Sequence, residues 1–268
     1  MKNKKEFSLE HKKFIKKHKI ENAIVWTFRF LILTLLLTVW ELLAKFNVID
    51  SFISSSPSKI AITIKSLFIE NDLMMHIGIT LYETIMGFLI AVFLGYIIAL
   101  ALWWSERLRR ILEPYIVVLN SLPKIALGPI IIVWFGSGSK AIIFMAVIIG
   151  IIVAIIKMLK GFLATDKNKV LLLQTMGASK LQILLKLVIP GTLPTFISML
   201  KISVGMAWIG SIMGEYLVSR AGLGYLIVYG GQVFKLDLVM ASTVILCALA
   251  TLMYALVAML EKIIIKRN

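Results

Sequence analysis

The stretch ITLYETIMGFLIAVFLGYIIALALW, residues 79–103, carries a single charged side chain, Glu83, in 25 positions. An α-helix needs about 20 apolar residues to cross the hydrocarbon core of a bilayer, so this run is long enough to span one. It shows none of the period-two alternation of a barrel strand. Five more apolar runs lie at 24–46, 111–135, 140–162, 194–218 and 238–262. The chain of 268 residues is 60% hydrophobic, with a mean hydropathy of +0.95. A soluble domain is nearer half apolar, and its helices are amphipathic rather than apolar throughout. The expected fold is all-α: a polytopic membrane protein with six transmembrane helices over residues 24–268, preceded by a basic segment at 1–23. The first run is too long for a signal peptide and lacks the small-residue cleavage site, which makes it a retained span.

The net charge of +15 is a topology signal, not a nucleic-acid signal, because of where it lies. Of 29 Lys and Arg residues, 21 fall in residues 1–29, at Arg107, Arg109 and Arg110, between 157 and 186, or in the tail at Lys262, Lys266 and Arg267. The alternate connections hold only five: Lys59, Lys65, Lys140, Arg220 and Lys235. The positive-inside rule then places both termini, and the segment between spans four and five, in the cytoplasm. Lysines mixed with Phe7, Leu9, Phe14, Ile15 and Ile20 suit a helix lying on an anionic leaflet. A disordered basic tail fits the same composition.

Several signals for chemistry fail. The lone Cys247 excludes an internal disulfide and a cysteine metal site, and His11, His18 and His76 have no ligand spacing. GSGSKA at 136–141 misplaces its hydroxyl relative to Lys140 for a phosphate-binding loop, and GLG at 222–224 follows no strand. No nucleophile–base pair or carboxylate cluster is visible. Uphill work by this chain must therefore draw on a partner or an ion gradient.

Residues 164–190 are the exception among the apolar runs. Val170 to Met176 reads as a short helix capped by Thr165 or Asp166. Gly177 supplies the left-handed end, and Ser179 caps a second helix. Leu181, Leu184, Leu185 and Val188 are expected to form one apolar stripe, and Pro190 to stop the ladder. On periodicity alone the segment is an interfacial connector.

A resemblance adds more. TMGASKLQILLKLVIPGTLP, residues 175–194, resembles the cytoplasmic EAA loop of ABC-importer permeases, with its glycine at Gly177, its proline at Pro190, and Leu187 and Ile189 in the apolar places. The EAA positions themselves are Leu171, Leu172 and Leu173, so the acidic residue is missing. HIGITLYETIMGFLIAVFLGYIIAL, LPKIALGPIIIVWFG and GMAWIGSIMGEYLVSRAGLGYLI extend the likeness from about 52 to 262, to the nitrate/sulfonate/taurine branch. The resemblance implies a binding-protein-dependent importer: a second permease copy, two cytoplasmic ATPase subunits that bind ATP and Mg, and an extracellular solute-binding protein. It implies no catalytic residue, metal or cofactor on this chain. It casts Leu173, Met176, Gly177, Ala178, Ser179, Leu181 and Pro190 as the ATPase-coupling residues.

For a passage, the expected residues are Glu83, Asn120, Ser203, Trp208, Ser211 and Glu215, each polar, small or aromatic within a span. Ser203, Ala207, Gly210, Ser211 and Gly214 equally suit close helix packing. Sulfonate-type members usually carry Arg where this chain has Glu83 and Asn120. Either the passage binds little and specificity rests on the delivering protein, or the solute is neutral or cationic rather than a simple small anion. A neutral or cationic vitamin precursor such as a pyrimidine fits. An ion-coupled secondary transporter is the alternative; it requires an inverted repeat and midplane carboxylates, and only Glu83 answers. A membrane-embedded enzyme has no clustered catalytic residues here.

Overall fold

The structure, a computed structural model, describes residues 9–50, 54–70 and 72–265, and the secondary structure of these residues is entirely helical. The expectations for residues 1–8, including Phe7, and for Lys266 and Arg267 lie outside the described residues. Eleven main helices are used below. They are α1 Leu9–Lys45, α2 Pro57–Glu70, α3 Leu73–Trp104, α4 Glu106–Ser121, α5 Gly128–Phe135 and α6 Ser139–Leu163. They continue with α7 Lys167–Thr175, α8 Lys180–Ile183, α9 Leu193–Val218, α10 Leu223–Gln232 and α11 Leu236–Ile265.

Among the described residues, five helices are long and apolar enough to cross a membrane: Lys16–Lys45, Leu73–Trp104, Ser139–Leu163, Leu193–Val218 and Leu236–Ile263. The sixth expected span differs from its reading as one helix over 111–135. It is a bent pair, α4 and the stretch Lys124–Phe135, meeting at 88°. The physical cause is in the turn. Leu122 is extended, as a residue before proline prefers, and Pro123 cannot donate to the ladder. Lys124 opens a 3₁₀ turn and its ammonium reaches back to the Asn120 carbonyl at 3.2 Å, covering an otherwise orphaned helix end.

The chain forms two compact units, Met1–Thr63 and Ile64–Asn268. In the first, the Glu41 carboxylate at the end of α1 accepts the Ser58 amide at 3.0 Å and the Ser58 hydroxyl at 2.7 Å, fixing the start of α2.

In the second unit, α3, α6 and α9 pack as a three-helix core. Small residues set their separation. A Cβ on Gly87 would lie 2.5 Å from the Ala146 Cβ, one on Gly95 2.6 Å from the Ala154 Cβ, and one on Gly214 2.9 Å from the Ile142 Cα. Lipid is as apolar as leucine, so close packing rather than the hydrophobic effect holds such helices together. At one end the core thickens into Leu102, Met158, Phe162, Ile183, Leu184 and Val188, all buried. There the Tyr96 ring meets Phe162 and Phe196 edge-on, each at 5.6 Å between centroids.

Candidate functional site

Two constructions occupy opposite ends of this unit. The first is the polar segment between α6 and α9. Asp166 caps α7 by accepting the Asn168 amide at 2.9 Å. Gly177 then turns the chain at φ +79°, a conformation that disfavours any residue with a Cβ. Its amide donates to the Gln174 carbonyl at 2.9 Å, and that of Ala178 to Leu173 at 2.9 Å, which closes the end of α7. Ser179 and Gln182 form a reciprocal capping box, with the Ser179 amide donating to Oε1 of Gln182 at 2.8 Å.

The second helix departs from its expected form. After one α-turn it widens into a π turn, Leu184–Val188, which shifts its facing. Ile183, Leu184 and Val188 are buried, whereas Leu181 and Leu185 are exposed, so the stripe of 181, 184, 185 and 188 is not the buried one. Pro190 does not end the helix either. The helix runs on to Gly191 and breaks at Thr192, because a π turn immediately before a proline shifts the carbonyl that its ring would strike.

This segment is tied to the end of α3. The Lys180 ammonium donates to the Trp104 carbonyl and lies over the Trp103 and Trp104 rings, 5.6 and 5.3 Å from their centroids. Leu173 and Ala178 pack on the buried cluster. The opposite face carries Leu171, Leu172, Met176 and Leu181, all exposed, Met176 at 74%. The segment is thus rigidly rooted and presents an apolar surface outward.

The second construction lies at the start of α3 and the end of α9. Gly222, at φ +113°, leads into α10, and three side chains satisfy the first amides of that helix. His76 Nδ1 accepts from Gly222 at 2.9 Å, Thr80 Oγ1 from Leu223 at 2.8 Å, and Glu215 Oε2 from Gly224 at 2.5 Å. A helix leaves its first amides unpaired, and in an apolar setting each must be answered. Glu215 also faces the positive end of the α10 dipole. Gly222 is needed here for space as well, since a Cβ would stand 2.6 Å from the Glu215 carboxyl carbon.

Glu83 lies one turn inward from Thr80, and Glu215 and the Ser139 hydroxyl are its polar neighbours. Both carboxyls are 1% exposed. Thr84 and Ser211 bridge α3 and α9 by a hydroxyl pair at 2.6 Å. A cavity of about 310 Å³ adjoins, lined by Ile79, Glu83, the Ser137–Ser139 turn and residues 218–221.

Of the residues expected in a passage, Glu83, Ser211 and Glu215 therefore come together. Ser203 is buried and donates to the Met199 sulfur at 3.4 Å. Trp208 is buried against Val204 and Val257. Asn120 is exposed on α4. The sequence reading missed His76, Thr80 and Thr84, although these recur every four residues, with Glu83 three beyond Thr80, and mark one polar face on an apolar helix. It also missed that Lys180 anchors the cytoplasmic-type segment.

Comparison with known proteins covers most of the chain. A family described as "Binding-protein-dependent transport system inner membrane component" matches residues 87–267. A probable ABC transporter permease protein of Haemophilus influenzae is 32% identical over 225 residues, 84% of this chain and 91% of the relative. The formylaminopyrimidine transport permease protein of Halalkalibacterium halodurans is 31% identical, covering 86% of this chain and 92% of that one. The taurine transport system permease protein of Escherichia coli is 25% identical, over 82% of each. Among solved structures, the inward-facing MetNI methionine ABC transporter matches 73% of this chain and 99% of its own with a TM-score of 0.62 at 18% identity, a likeness of fold.

Proposed function

The chain belongs to the family of binding-protein-dependent transport system inner membrane components, the ABC transporter permeases, and from that premise we propose that it forms the passage of an ATP-driven importer for a small organic solute. It is a multi-pass transport subunit rather than an enzyme. In this reading a second permease copy completes the passage, two cytoplasmic ATPase subunits bind ATP and Mg, and an extracellular binding protein delivers the solute. The termini and the segment at 164–190 face the cytoplasm, as the lysine distribution supports.

One observation carries the reading: a helix pair rooted in the core yet exposing Leu171, Leu172, Met176 and Leu181 at the end away from Glu83 and Glu215. An exposed apolar face on a rigid projection suits a partner's groove. ATP binding would draw the ATPases together and carry Gly177, Ala178 and Ser179 with them. Lys180, locked to the end of α3, passes that displacement to the helix that bears Glu83. Pro190 and Thr192 form the joint to α9, which bears Ser203, Trp208, Ser211 and Glu215. The passage then opens alternately to either side.

The test is a cross-link. A Met176→Cys variant in a Cys247→Ser background should join to the cognate ATPase within the assembled complex, and the reaction should respond to ATP. No cross-link at Met176 in a complex that still co-purifies would remove this contact from the coupling scheme. The solute class follows from ligand screening of the cognate binding protein. The resemblance, with Glu83 and Asn120 where arginines are usual, supports a solute other than a simple anion, such as a pyrimidine-type vitamin precursor. Competition of uptake by taurine, alkanesulfonates or nitrate would overturn that choice.

A further inference from the structure

A helix broken inside a bilayer leaves backbone groups that must be answered. The apolar run of α4 begins at Ile111, and the break at Leu122 lies about 16 Å along the helix from there. That is about half-way through a hydrocarbon core of roughly 30 Å. Pro123 has no N–H, so the Leu119 carbonyl loses its ladder partner four residues on. Non-helical backbone at this depth is tolerated only where it is buried in protein or lines a water-filled space. The far side of the break is buried: a Cβ on Gly128, at the start of α5, would stand 2.3 Å from Leu217 Cδ1 and 3.1 Å from Met145 Cε. The near side is open. None of the residues of α4 is buried, and Asn120, Ser121, Leu122 and Pro123 are all exposed.

Lys124 sits on this open side. Its ammonium spends one donor on the Asn120 carbonyl at 3.2 Å, and an ammonium has three. Among the described residues it takes part in no ion pair. A second copy would offer the same side chains at the same depths, and in this unit they supply no acid for it. Glu83 and Glu215 are 1% exposed and bonded to each other. Glu261 is paired with Lys201, and Asp237 opens α11 at the other end of that helix. Glu113 lies about 14 Å before the break, toward the start of α4. A lysine within a span that has no carboxylate faces water or a ligand.

We propose that the open side of this break lines the water-filled passage, and that Lys124 contacts the solute there by donating to a ring nitrogen or carbonyl oxygen. The proposal rests on the importer reading and deepens it by naming a specificity-determining residue. One such donor per copy grips one group of a larger organic molecule, which leaves the choice against simple small anions standing. The exposed amide of Asn120, one turn before Lys124, can donate or accept beside it.

The experiment uses the permease as it purifies with its partners, in lipid nanodiscs, where both faces are open to reagent. Cys247→Ser removes the native thiol and Ser121→Cys places one beside Lys124. Labelling by a sulfonatoethyl and a trimethylammonium-ethyl methanethiosulfonate reads water access and local charge together. Both reagents should react, the anionic one faster, and Lys124→Gln should lower the anion-to-cation ratio by about tenfold. Lys124→Arg should retain the preference, which separates lost charge from a displaced helix. The neutral ring 4-aminopyrimidine, whose ring nitrogens are acceptors, should protect the thiol dose-dependently with Lys or Arg at 124 and not with Gln. A thiol deaf to both reagents is covered by lipid or protein and overturns the proposal. So does a ratio unchanged by Lys124→Gln or lost equally with Lys124→Arg, and so does protection that is absent or indifferent to the Gln change. None of these rates depends on the ATP-responsive cross-link at Met176, so the passage wall and the importer reading fail separately.

Discussion

Replacing Gly177 by alanine isolates the hinge from everything around it. The backbone there has φ +79°, and an added Cβ would meet nothing within 4 Å. The whole cost is thus conformational, about 1–2 kcal/mol for holding an L-residue in the left-handed region. Gly191 supplies the control. It also has open space around it, but it sits in a helical turn with no positive φ, so alanine there should be neutral or stabilising by up to about 1 kcal/mol. A penalty of 1–2 kcal/mol makes the native hinge roughly five- to thirtyfold less favoured over its alternatives. Both variants should insert and assemble with the ATPase at wild-type levels. In proteoliposomes that contain the complete complex, solute moved per ATP hydrolysed should fall several-fold for Gly177→Ala and hold for Gly191→Ala. Equal coupling ratios in the two variants would refute the claim that the hinge angle transmits the stroke.

Further outcomes follow from the other contacts. Glu215→Ala leaves the Gly224 amide without its acceptor, a loss of about 1–3 kcal/mol, so protease cleavage within α10 should accelerate; Glu215→Gln, which keeps an acceptor, should largely protect. Gly95→Ala places a methyl against Ala154 and should lower thermal stability by about 1–3 kcal/mol, with Ala154→Gly in the same chain restoring most of it. Lys180→Met gives up the ammonium bond to Trp104, and transport coupling should drop while expression holds; Lys180→Arg should retain much of the wild-type coupling, since it keeps a donor and a cation over the indoles. Leu171→Glu restores the family's acidic residue on an exposed position and should weaken ATPase co-purification if the cognate groove is apolar; unchanged retention would speak against that surface.

The spans were readable because a helix in lipid must be apolar around its whole circumference, a property local to each run of sequence. Leu73–Trp104 and Ser139–Leu163 needed no knowledge of their neighbours. The 88° bend was not read from the run at 111–135: Pro123 lies within it, but the direction of a break depends on what each half packs against. Gly177 and Ser179 were legible for the same local reason, as each answers a rule about helix ends. The π turn at Leu184–Val188 was not, because a change of pitch shows no residue signature and decides which leucines face inward. The capping of α10 was hidden more deeply. His76 and Thr80 lie 146 and 143 positions from the amides they accept, and nothing in a single sequence links such distant partners. Glu83 and Glu215 stood out as acids within apolar runs, but their proximity is a product of α3 and α9 crossing.

In the proposed mechanism this chain moves its solute only when an ATPase drives the helix pair ending at Gly191. Uphill uptake into vesicles that contain the permease, with and without the ATPase, under an imposed ion gradient, tests it directly. Accumulation is expected only when the ATPase, ATP and loaded binding protein are all present, whatever the gradient. Accumulation by the permease alone, following the gradient, would contradict it and turn the assignment to an ion-coupled carrier.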